Sequence, residues 1–112
     1  MPDYREQLPA EPLTVATRGD STETVIAISG EFDASGMEWF GACIGAVLEK
    51  HPGTMTIDTR GLTFMDSSGL RSLLLARAAA DEAGVDFHVS EPSSVVRRLA
   101  ERTGLEGLLL DR

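Results

Sequence analysis

Basic charge is scarce in this sequence. Ten lysines and arginines face eighteen aspartates and glutamates, for a formal net charge of −8. Nucleic acid and anionic membrane surfaces both call for a basic face, so neither is expected as a partner. Lys50 is the only lysine. It does not follow the second glycine of a phosphate-binding loop, which excludes that class of nucleotidase. Cysteine is limited to Cys43, so no internal disulfide can form and a thiolate metal site has no companions. His51, beside Pro52, and His88, on the polar side of a strand pattern, also lack ligand company. Both read as surface histidines, and no metal or cofactor is expected. No apolar run approaches the roughly 18 residues that cross a bilayer. The opening Met1-Pro2-Asp3-Tyr4-Arg5-Glu6 has neither the basic start nor the apolar stretch of a signal peptide. These absences point to a cytoplasmic protein.

What is present is an ordinary globular balance, 42% hydrophobic and 25% charged, which supports a packed core. The length of 112 residues suits one domain over 1–112, with residues 1 to about 8 as a loose tail among Pro2, Pro9 and Pro12. Leu13 to Thr17 alternates as a strand, Arg18 to Thr22 is a turn, and Thr24 to Ser29 forms the second arm of a hairpin. Gly30-Glu31-Phe32-Asp33 leads into a helix over about Ala34 to Lys50, with Met37, Phe40, Ile44, Val47 and Leu48 at helical spacing and Pro52-Gly53 after it. Met55 and Ile57 alternate with Thr54, Thr56 and Asp58 in a third strand. A helix from about Ser67 to Ala83 stops at Gly84, and Val85, Phe87 and Val89 mark a fourth strand. A last main helix runs from Ser94 to Thr103, between Pro92-Ser93 and Gly104. Leu108-Leu109-Leu110 is a short apolar segment of open type.

The third and fourth strands keep one polar face, whereas a parallel sheet covered on both sides would be apolar throughout. The expected architecture is therefore α/β in two layers: a mixed sheet opening with a hairpin, its helices packed on one face. Trp39 falls at the edge of the first helix's stripe and reads as partly buried. Gly41 and Gly45 each cost that helix about 1 kcal/mol against alanine, which close packing on the sheet or a neighbouring helix would explain. Leu73-Leu74-Leu75 widens the second helix's apolar face and reads by default as core, with an interface rim as the alternative. Arg97, Arg98 and Arg102 read as a solvated face, helped by Glu101 and the negative end of the last helix.

The stretch Leu62-Thr63-Phe64-Met65-Asp66-Ser67-Ser68-Gly69-Leu70 carries the functional information. An apolar segment runs straight into a helix through four small or polar residues. On one reading Asp66 is a helix N-cap accepting from the amides of Ser68 or Gly69, and the serines are merely suited to a first turn. On the other, free amides and the positive helix end receive an anion, the small side chains let another backbone approach, and a serine accepts a phosphoryl group. The residues by themselves allow both. A serine hydrolase is excluded, because Met65 stands where the nucleophile elbow needs glycine and no histidine is placed as base. A phosphoaspartate receiver would use Asp58, but Lys50 and Asp33 do not fit its remaining positions. The chain is not expected to be an enzyme.

Phe64-Met65-Asp66-Ser67-Ser68-Gly69-Leu70 resembles the signature of bacterial anti-sigma factor antagonists, which are stand-alone STAS domains. Gly30-Glu31-Phe32-Asp33 is similar to their Gly-Glu-Leu-Asp after the second strand. Val95-Val96-Arg97-Arg98-Leu99 followed by Thr103-Gly104-Leu105 resembles their C-terminal helix and the Thr-Gly-Leu after it. The likeness runs over roughly residues 12 to 112. It implies a STAS fold and makes Ser67, directly after the aspartate, the phosphorylation site. It gives supporting or partner-binding roles to Asp66, Ser68, Gly69, Met65 and Asp33, and sets Arg71 beside the switch where relatives often have glycine. Glu91-Pro92-Ser93-Ser94 replaces their more usual Pro-Ser-Pro. The implied partners are an anti-sigma factor that is also a serine kinase and a phosphatase acting on phospho-Ser67. The unphosphorylated form would bind the anti-sigma factor and release the sigma factor for transcription. The alternative within the family is a scaffold or sensor module in a partner-switching pathway that does not control a sigma factor directly.

Overall fold

A computed structural model describes residues 12–90 and 92–110; the tail expected over residues 1–8 lies outside them. Strands β1 (Thr14–Gly19) and β2 (Glu23–Phe32) form the hairpin. Asp20 shapes its turn by accepting from the amides of Thr22 and Glu23, at 2.9 and 3.0 Å. A 3₁₀ turn at Ala34–Gly36 leads into α1 (Met37–Leu48), so the expected single helix is two pieces. Then come β3 (Thr54–Met65), α2 (Ser67–Glu82), β4 (Asp86–Ser90), α3 (Ser94–Thr103) and a final turn, α4 (Glu106–Leu109), at the open leucine segment. The sheet order is β1-β2-β3-β4, antiparallel in the hairpin and parallel across β2-β3-β4.

Pleating explains the two layers. Successive side chains of a strand point to opposite faces. Ile26, Ile28, Met55, Ile57 and Phe87 share the covered face, where they meet Phe40, Ile44 and Val47 of α1, Leu70, Leu73 and Ala76 of α2, and Val96 of α3. Phe32 and Phe40 pack edge to face with centroids 5.0 Å apart, a preferred aromatic geometry. The opposite face carries Ala27, Ser29, Thr56, Asp58 and His88, as the alternation required.

β3 is far longer than the expected strand around Met55 and Ile57. Two register shifts against β2 each add one residue to β3, one after Asp58 and one after Leu62. Such bulges let the strand continue while its side chains change face. Gly61 sits at the first of them, because a Cβ there would lie 2.5 Å from Cβ of Ser29. Asp58 accepts from the backbone and guanidinium of Arg60, with the shortest contact at 2.8 Å. Those bonds hold its carboxyl below the usual range. Thr59, fully buried, accepts at Oγ1 from the amide of Ser93 at 3.1 Å and so ties the lead-in of α3 to the sheet. Ser93 in turn caps α3, and Gly104 ends it in the left-handed conformation at φ 76°.

Gly41 and Gly45 correct one expectation. A Cβ at either would meet nothing within 4 Å. They are not sites of close packing but line an open apolar groove of about 220 Å³ between α1 and α2. Leu75, expected in the core, is 53% exposed beside it, and Trp39 is 54% exposed. Among the described residues no helix is long and apolar enough to cross a membrane.

Candidate functional site

Two parallel strands end side by side at Phe32 and Met65, which are register partners. Each is followed by an aspartate in extended conformation that caps the next helical segment. The carboxylate of Asp66 accepts from the amides of Ser68 and Gly69, at 2.9 and 3.2 Å. That of Asp33 accepts from the amide and hydroxyl of Ser35, at 3.0 and 2.6 Å, and these bonds, the hydroxyl's foremost, lower its pKa. The corners are stitched together where the amide of Asp66 donates to the carbonyl of Phe32 at 3.3 Å. The sequence-predicted residues Asp33 and Asp66 therefore stand on neighbouring strand ends, although they lie far apart in the chain.

Gly69 makes this junction possible. A Cβ on it would come 2.6 Å from the Phe32 carbonyl oxygen and 2.6 Å from Cγ of Met65. Any larger residue would push the first turn of α2 off the end of β2. Met65 is 5% exposed and belongs to the core. Its part in the corner is to support it from below. The surface position falls to Phe64, 44% exposed, which sequence reasoning passed over as part of an apolar run. The alternation itself held the signal, since Phe64 and Met65 cannot both face inward.

Ser67 is the first residue of α2 and is exposed. Among the described residues its hydroxyl has no hydrogen-bond partner. Ser68 is half-buried, and Arg71 is exposed one turn along α2. The cap and anion readings are thus not equal. Asp66 already occupies the amides of Ser68 and Gly69, so an incoming anion would find those donors taken. The arrangement presents a hydroxyl rather than a cradle for a free phosphate. Asp58, the rival acceptor, is locked onto Arg60 in the middle of β3, away from the strand ends. Among the described residues no group of three or more metal-ligating side chains stands together.

The family model described as "Mlab, STAS domain" matches residues 15–111. Among solved structures, an anti-sigma factor antagonist from Mycobacterium paratuberculosis superposes with TM-score 0.71 at 26% identity, covering 88% of this chain and 83% of that one. The anti-sigma factor antagonist SpoIIAA in its unphosphorylated form gives TM-score 0.73 at 23% identity, over 87% and 86% of the two chains. Bacillus SpoIIAA in the phosphorylated form gives 0.68 at 22%, over 87% and 89%. The two SpoIIAA structures bear on the fold alone. A stretch of 65 residues, 58% of this chain, is 42% identical to the large ribosomal subunit protein uL10 of Staphylococcus aureus. The match spans only 35% of that protein's length.

Proposed function

The chain belongs to the STAS-domain family, and from that premise we propose that it is an anti-sigma factor antagonist switched off by phosphorylation of Ser67. One observation carries the reading: the Ser67 hydroxyl is exposed and uncommitted at the start of a helix whose own cap is already satisfied by Asp66. A kinase can approach it without breaking a hydrogen bond of the fold. In the transfer, Oγ of Ser67 attacks the γ-phosphorus of ATP, ADP leaves, and the hydroxyl proton passes to a base of the kinase. Metal, nucleotide and positioning groups belong to the partner; this chain supplies the acceptor and the surface around it. Asp33, on the adjoining corner, serves recognition by that kinase, Ser68 keeps the approach low, and Gly69 lets the first turn of α2 seat against the end of β2. A phosphatase returns the serine to its binding form.

The unphosphorylated protein binds an anti-sigma factor of the serine kinase type and so frees the sigma factor. Ser67→Ala, which cannot be labelled, is the bait of choice in a pull-down from the host, because the complex is not ended by phosphorylation. Recovery of a kinase-type anti-sigma factor is the expected result. The matched family model is described by Mlab rather than by an anti-sigma antagonist, and this favours a second reading, a STAS scaffold or sensor module with other partners. Reproducible capture of a partner with no kinase fold would select it.

A further inference from the structure

We propose that the groove between the end of β3 and α3 is a docking surface for an acidic partner segment that carries an apolar side chain among its carboxylates. The groove holds about 260 Å³ and is lined by Thr63, Phe64, Val95, Arg98, Leu99 and Arg102. On α3, Val95 and Leu99 form one row and Arg98 and Arg102 the next, each pair four residues apart and so on one side of the helix. Val95 and Leu99 pack against the core with their outer edges open, and Phe64 faces them from the strand end, 44% exposed. The walls of the groove are thus apolar at the base and basic at the rim.

Charge decides the occupant. In a chain of net charge −8, two arginines flank one groove, and among the described residues neither forms an ion pair. Among the described residues Glu101 forms no ion pair with either of them. An exposed aromatic beside arginines is the composition of interface anchors. The volume lies below the roughly 300–1,000 Å³ of small-molecule sites and suits a protruding side chain with carboxylates on either side. The surface is continuous with the switch, since Ser67 follows the exposed groove residue Phe64 by three positions. A phosphoserine there places about −1.5 to −2 charges within three residues of a groove that takes an acidic segment, so the modification repels the same occupant. The proposal rests on the antagonist reading for who docks, and on the groove alone for the chemistry that docks.

The test titrates the ¹⁵N-labelled full chain with a short synthetic peptide of alternating glutamate and leucine, and with its glutamine-for-glutamate analogue. Amide shifts confined to residues 63–67 and 95–102 are expected with the glutamate peptide. Binding should weaken by about tenfold or more for the analogue, for the double variant R98E/R102E, and for protein with phosphoserine installed at position 67 during translation. Circular dichroism melting of R98E/R102E checks that the exposed substitutions leave the fold intact. No binding, equal binding of both peptides, or shifts on other faces would overturn the proposal. Tighter binding of single-stranded RNA to the same residues would overturn it in favour of a general anion patch. The same shifts on raising protein concentration alone, with faster sedimentation, would overturn it in favour of self-association. No kinase or anti-sigma factor enters these measurements, so failure of the antagonist reading, seen as absent Ser67 labelling, is told apart from failure of the groove.

Discussion

Gly69→Ala adds one methyl group where the corner has no room for it. The new carbon would lie 2.6 Å from the carbonyl oxygen of Phe32 and 3.0 Å from Cγ of its ring, against roughly 3.5 Å for an unstrained contact. Met65 can turn its flexible chain aside; the carbonyl cannot, because it is the backbone of β2. Relief requires the first turn of α2 to lift and the Asp66-to-Phe32 hydrogen bond to stretch. Overpacking of this kind costs about 1–3 kcal/mol, offset by close to 1 kcal/mol because alanine favours helix over glycine. The net loss is up to about 2 kcal/mol, or a fall in Tm of up to roughly 15 °C for a domain of this size. Gly41→Ala and Gly45→Ala are the matched controls. Each new methyl meets nothing within 4 Å, so each should gain up to about 1 kcal/mol from helix propensity alone. Urea denaturation followed by circular dichroism reads all three as shifts in midpoint at constant m-value. If Gly69→Ala proved as stable as Gly41→Ala, the tight corner described here would be wrong.

Three further outcomes follow from the geometry. Thr59→Val removes the acceptor of the Ser93 amide and should cost about 1–3 kcal/mol in urea unfolding, with Thr59→Ser recovering most of it; a silent Thr59→Val would remove this anchor of α3 from the account. Asp33 and Asp58 both titrate below the usual carboxylate range when folded, so protonation favours the unfolded chain. Their contribution is complete above roughly pH 5, begins to fade near the unfolded value of about 4 and is lost as pH falls through the lowered folded values; a stability–pH profile whose acid limb is unchanged in the doubly Asn-substituted protein would contradict this. Phospho-Ser67 should leave the fold intact, because the helix N-terminus favours an exposed anion by about 0.3–1 kcal/mol while repulsion from Asp66 is of similar size and screened by salt. Its affinity for the anti-sigma factor should meanwhile fall a hundredfold or more, since burying an unpaired dianion costs several kcal/mol; a large drop in melting temperature on phosphorylation would instead make disorder the switch.

Local chemistry made much of this molecule legible from its sequence. Ser93 and Gly104 bound α3 as their capping preferences require, and Asp66 caps α2 through the two amides that its spacing suggested. The one-faced sheet followed from the polar rows in β3 and β4. The length of β3 was not legible, because bulges after Asp58 and Leu62 break the period of two on which a strand is recognised. Glycines were opaque for a related reason. A helical glycine looks the same whether a neighbour presses on it, as at Gly69, or open space lies beyond it, as at Gly41 and Gly45. Met65 and Phe64 show the same limit, since both are apolar neighbours and only the pleat assigns one to the core and the other to the surface. A role for Asp33 came from resemblance alone; in the structure its place beside the Asp66 corner follows from the register of Phe32 with Met65.

Site-resolved mass spectrometry tests the central claim most directly. The protein is incubated with ATP and each candidate anti-sigma kinase of the host, and its intact mass and modified peptide are recorded. One added phosphate, about 80 Da, is expected on Ser67 in the native chain and none in Ser67→Ala. A phosphate mapped to Ser68, or full labelling of Ser67→Ala, would contradict the account.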